Sequence, residues 1–305
     1  MEPVKFIDIH AHAYRIPVPF VVQFPSPAEL VARYDKENIE TGFVLPIVSP
    51  EIYSPQTNEE VLEMAENYPG RILPFCNVDP RMLTNSWDAP LDQVLSYYKE
   101  RGCLGVGEIM PNMAVDDPMV QNLFKHCEKV GLPVTFDGSD RLHNDFGLMD
   151  DPGIPRFEHT LQRFPDLVFF AHGPIFWSEL GVFDDTVGQR KSTFRPDGTF
   201  ISAHRRVGPI LKEGAAAKLF RRYPNLMGEL SDAAGVLCAD PVYGSAFLEE
   251  FQDRLFFGSD ICFAEMPFAA KIMLDQWLAE KRISETVYRK IARENAISFF
   301  NLPDK

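Results

Sequence analysis

Eight short apolar runs, each followed by a stretch of helical periodicity, constrain this chain more than any other feature of its sequence. The runs are VKFIDIH (4–10), TGFVLPIV (41–48), RILPFCNV (71–78), CLGVGEIM (103–110), LPVTFD (132–137), LVFFAH (167–172), NLMGELS (225–231) and RLFFGSD (254–260). Many are apolar at successive positions, as strands covered on both faces must be. The spacing predicts helices over 27–38, 56–68, 88–101, 117–130, 155–164, 205–223, 242–253, 264–281 and 284–299. Prolines in YPGRI (68–72), FPDL (164–167) and YPNL (223–226) end the preceding helix just before a strand. Eight such units predict an α/β fold, a (β/α)8 TIM barrel rather than an open doubly wound sheet. No internal repeat or low-complexity linker interrupts it, so 1–305 reads as a single domain.

One connection breaks the rhythm. Residues 173–204 show little periodicity, and loops longer than about 15 residues are usually functional or disordered. They follow strand six, so the stretch reads as a rim insertion over the barrel mouth. Arg190, Lys191, Arg195, Arg205 and Arg206 cluster in or beside it. Such a patch can bind a substrate carboxylate, or be a solvated loop or a subunit contact. Phe176 and Trp177 either wall the pocket or pack this loop onto the rim. His143, after strand five, and Arg15 and Arg81, just beyond strands one and three, are further groups within range of the mouth.

Charge narrows the partners. With 44 acidic against 30 basic residues the net charge is −14, which opposes binding to nucleic acid or an anionic membrane. No apolar run approaches the roughly 18 residues of a membrane helix, and MEPVKFIDIH reads as a first strand, not a signal peptide. Five scattered cysteines without a CxxC pair argue against structural zinc and a disulfide framework, and for a reducing, cytoplasmic setting.

A barrel collects its reactive groups at the C-terminal ends of its strands. Those ends carry His10 and His12, Glu108, Asp137, His172, Glu229 with Asp232, and Asp260. By strand alternation Asp8, His10 and His12 form one polar row. Imidazoles and carboxylates on one rim suit zinc, manganese or another divalent ion. Each residue also has a plainer use: Asp260 can cap a helix, Glu108 can pair with a buried arginine, and His172 can bond a backbone carbonyl.

DIHAH (8–12), VFFAHGP (168–174) and LFFGSD (255–260) together resemble the amidohydrolase superfamily, in particular its amidohydrolase-2 branch, over nearly the whole chain. The resemblance implies the same barrel and a divalent metal, zinc first. It implies His10 and His12 as first-strand ligands and Asp260 as a ligand that also handles a proton. His172 is implied as a further ligand or an acid/base group. Glu108 is similar to a metal-binding glutamate on strand four of the TatD-like branch. Where many relatives end strand five in histidine, this chain has Asp137, either a substitute ligand or a residue behind the ligands.

The implied chemistry is hydrolysis of an ester, lactone or amide carbonyl in a small, carboxylate-bearing substrate, with Asp260 and His172 catalytic. Trp177, Arg190, Arg195 and His143 are the candidate substrate contacts. The same branch contains nonoxidative decarboxylases of aromatic acids, which tend to read HxGE or HGGG where this chain has HGPIFW. That activity is the alternative, and a non-catalytic metal-binding barrel is the minor one. A homodimer is the assembly relatives often adopt.

Overall fold

The computed structural model describes residues 4–16, 23–52, 55–183 and 209–304. Strands β1 (Phe6–Ala11), β2 (Ile39–Val44) and β3 (Ile72–Pro74) pair in parallel in that order. Strands β4 (Val106–Ile109), β5 (Val134–Phe136), β6 (Phe169–Ala171), β7 (Leu226–Glu229) and β8 (Leu255–Phe256) form a second parallel run. The two runs join at both edges. Cys76 bridges to Val106 and the Leu104 amide donates to Pro74 O at 3.0 Å. On the other side the Ile9 amide donates to Phe257 O at 3.0 Å, and the Asp260 amide to His10 O at 2.8 Å. The result is the closed eight-stranded barrel that the strand count predicts.

Helices cover the outside, and their starts are written locally. Ser26 and Thr57 each form a capping box, with Glu29 and Glu60, at the heads of the helices Pro27–Glu37 and Asn58–Asn67. Inside, Ile7, Ile9, Phe43, Phe75, Phe170 and Phe256 form an apolar cluster with Phe300 of the C-terminal helix Asn295–Phe300. Phe300 lies 4.6 Å from Phe43 and 5.9 Å from Phe170, centroid to centroid, so one end of the barrel is filled by aromatic side chains. The polar strand ends gather at the opposite end.

The helix expected over 205–223 is shorter. Ile210–Glu213 is instead a strand, antiparallel to Gly181–Phe183, and the helix occupies Ala215–Arg222. Gly214 forces the break: its amide donates to Leu180 O at 2.9 Å, and a Cβ there would fall 2.0 Å from Glu179 O. The stretch after His172, expected to lack periodicity, opens with a short helix, Gly173–Ser178. Residues 184–208, with Arg190, Lys191, Arg195, His204, Arg205 and Arg206, lie outside the described residues. No helix among the described residues is long and apolar enough to cross a membrane.

Candidate metal centre

Strand alternation does not survive to the end of β1. Its register with β2 shifts between Asp8 and Ala11. Asp8 therefore does not share a row with His10 and His12. Its carboxylate accepts from Tyr34 Oη (2.8 Å), Ser259 N (2.8 Å), Ser259 Oγ (2.6 Å) and the His10 amide (3.1 Å). Burial raises its pKa to about 6, against the lowering effect of those bonds. Asp8 is thus the latch that ties DIHAH to FGSD and sets Asp260 beside His10.

Within the barrel mouth His10, Glu108, His172 and Asp260 each offer one ligand atom, all within 4.8 Å of one another. His10 Nε2 lies 3.5 Å from Glu108 Oε2 and 3.7 Å from Asp260 Oδ1. His12 joins them: its Nε2 is 3.2 Å from His10 Nε2, 3.2 Å from Asp260 Oδ1 and 3.3 Å from Glu108 Oε2. His172 Nε2 faces Glu108 Oε1 at 3.2 Å and Asp232 Oδ2 at 3.8 Å. Among the described residues no arginine pairs with Glu108, and His172 points at carboxylates rather than at a carbonyl.

The donor set fits a metal ion. Ligands about 2.0–2.2 Å from a tetrahedral zinc stand roughly 3.3–3.6 Å apart, close to the spacings here. The far nitrogens are engaged as well. His12 Nδ1 meets Leu45 O at 3.0 Å, while His10 Nδ1 and His172 Nδ1 meet Glu229 Oε2 at 3.2 and 2.7 Å. All three rings therefore turn Nε2 toward the carboxylates.

Asp137, expected among the ligands, is outside the group of four. Its Oδ1 accepts from the Gly138 amide at 2.7 Å, and burial, then the nearby charge of Glu108, pushes its pKa well above the usual carboxylate range. The glycine of HGP makes room for it, since a Cβ on Gly173 would sit 1.9 Å from Asp137 Oδ1. Trp177 does not wall the mouth: it is fully buried, stacked near Phe220, with its indole N–H donating to Glu229 O at 3.1 Å. His143 is exposed on the loop after β5, where its amide donates to Asn112 Oδ1. Arg15 is exposed near Glu60 and Glu63, and Arg81 is held by Asp79 and Glu51. Arg190 and Arg195 lie outside the described residues.

Metal binding here competes with protons. Burial and the charge of His172 depress the His10 pKa, but its bonds to Glu108 and Glu229 outweigh them and raise it to about 10. At neutral pH the metal-free His10 is protonated, and a cation must displace that proton. Affinity should therefore rise with pH, by about tenfold per unit for each proton displaced, up to about pH 10. Chelator competition at pH 6, 7 and 8 measures it, and a flat profile would contradict this charge arrangement.

The sequence matches the amidohydrolase family model Amidohydro_2 over residues 7–302, and the chain belongs to that family. Together with the buried donor set, this defines a metal-dependent enzyme of the amidohydrolase-2 class. No curated protein matches it. Solved structures do resemble it in fold. A probable 2-pyrone-4,6-dicarboxylic acid hydrolase from Acinetobacter baumannii, with citric acid bound, is 14% identical with a TM-score of 0.58, covering 98% of this chain and 100% of its own. The 5-carboxyvanillate decarboxylase of Novosphingobium aromaticivorans, complexed with manganese and 4-hydroxy-3-methoxy-5-nitrobenzoic acid, is 14% identical with a TM-score of 0.60, covering 98% and 96%. An amidohydrolase from Burkholderia multivorans with bound zinc is 14% identical with a TM-score of 0.58, covering 98% and 100%.

Proposed function

We propose that the protein is a metal-dependent hydrolase acting on an ester, lactone or amide carbonyl of a small substrate. The charge of the donor set carries this reading. Glu108, Asp137, Glu229, Asp232 and Asp260 gather around three imidazoles, and among the described residues none of the five pairs with a lysine or arginine. Burial pushes Asp137 and Asp232 toward the neutral acid, but Glu108, Glu229 and Asp260 still outnumber the two charges of a bound dication, so the site stays negative. It disfavours a substrate that must lay its own carboxylate on the metal, and it favours a neutral carbonyl.

His10, His12, Glu108, His172 and Asp260 are the residues that would hold the cation, zinc or manganese, with Asp137 adjacent. When bound, it supplies Lewis acidity and lowers the pKa of water toward about 7. Asp260 is the proton carrier. It is the least buried of the central four, its side chain 19% exposed, and its Oδ1 faces His12 Nε2. It takes a proton from the attacking water and returns it to the leaving group. His172, oriented by Glu229 through Nδ1, presents Nε2 to the cation from the β6 side, so its part is to help hold the Lewis acid. A carboxylate elsewhere on the substrate would fall to Arg190 and Arg195, with exposed His143 a further contact.

Nonoxidative decarboxylation is the second reading. Tyr14, Phe24, Ile47, Ile52, Met110 and Phe146 form an apolar cluster on this side of the barrel, with the Phe24 ring 5.5 Å from His12, and an aromatic acid would suit it. Screening lactones, esters, amides and aromatic acids with the zinc- and manganese-loaded protein separates the two. Acid release from neutral substrates supports the hydrolase; CO2 release from aromatic acids alone overturns it.

A further inference from the structure

We propose that Glu229 is a positioning residue that fixes the ring orientation and tautomer of two histidines at once, turning both Nε2 atoms of His10 and His172 toward the centre. This rests on the reading of those histidines as metal-facing groups.

One carboxylate oxygen, Glu229 Oε2, lies 3.2 Å from His10 Nδ1 and 2.7 Å from His172 Nδ1, and accepts from Ser231 Oγ at 2.7 Å. The other, Oε1, accepts from the Ser231 amide at 2.6 Å. The residue is fully buried at the end of β7, and the two rings it joins come from β1 and β6. Its seat is built around it. Gly258 leaves the space the carboxylate fills, since a Cβ there would fall 1.9 Å from Oε1. Trp177 holds its backbone carbonyl from behind.

An acceptor on the far nitrogen of a ligating histidine fixes the proton on Nδ1 and frees Nε2 for the metal. Only a carboxylate can serve every donor here. A glutamine with its oxygen toward the rings sets its NH2 against the Ser231 amide, donor against donor. Turned the other way, it offers NH2 to both Nδ1 atoms and drives their protons onto Nε2, where they block the metal.

The test uses Glu229→Gln, chelator-competed zinc affinity and 15N spectra of the histidine rings in the zinc-loaded protein. The expected result is Nδ1–H on both rings in the parent and a loss of zinc affinity of about 100-fold in the variant, the upper end for an outer-sphere partner. A variant that melts earlier but binds zinc as tightly, with unchanged ring signals, would reduce Glu229 to a packing role and overturn the inference. A parent that binds no zinc overturns the functional reading itself. If the variant does not fold, the parent spectrum still decides, because a proton on Nε2 of either ring contradicts the assignment.

Discussion

Asp260→Asn should lower kcat/KM by about 10²–10⁴-fold, the usual share of a positioned acid/base group. Asparagine keeps the volume and the left-handed backbone that Asp260 adopts at φ 46°, a conformation asparagine tolerates well. It removes the charge that faces His12 and His10, and with it the proposed proton acceptor. The latch on Asp8 runs through Ser259, so the fold should survive. Kinetics on a hydrolysed substrate, with a melting curve and metal content for each preparation, is the measurement. Activity within tenfold of the parent at equal metal loading would remove Asp260 from the chemistry.

The second large effect comes from a residue without a functional group. Gly258→Ala should disable the enzyme although Gly258 touches no substrate. Its added methyl would fall 1.9 Å from Glu229 Oε1, 2.4 Å from Cδ and 2.8 Å from Cγ, in a fully buried position where the carboxylate cannot swing aside into solvent. Overpacking of this kind costs about 1–3 kcal/mol. The larger consequence is chemical, because a displaced Glu229 leaves the His10 N–H buried without its acceptor and the His172 N–H with Ser231 Oγ alone, at 3.2 Å. A lowered melting temperature together with weakened metal binding is the expected pair of results. A stable variant with parental metal affinity would show that the Glu229 seat has slack that its contacts do not suggest.

The barrel was readable because its strands are short apolar runs at regular intervals, and a period of that kind survives in one dimension. The ends of β1, β4, β6 and β8 were readable for a related reason: polar residues at the exit of apolar strands are costly unless used, and His10, His12, Glu108, His172 and Asp260 all converge. Glu229 stood at a strand end too, but nothing local says that it lies between β1 and β6. Its contacts span 219 and 57 residues of sequence. The period-two rule misassigned Asp8 because the register shift in β1 is set by the neighbouring strand, not by the residues themselves. Trp177 was ambiguous for a similar reason, since an aromatic after a strand packs inward or lines a mouth according to what lies above it.

Asp8 and the Asp260 amide bring DIHAH and FGSD together around a donor set suited to a metal ion. Elemental analysis of protein purified without chelator, in the parent and in a His10→Ala/His12→Ala variant, tests this most directly. The expected result is one or two equivalents of a divalent metal in the parent and its loss in the variant. A parent that holds no metal, even after zinc or manganese is added, would rule out a metal centre and leave the three converging imidazoles in need of another explanation.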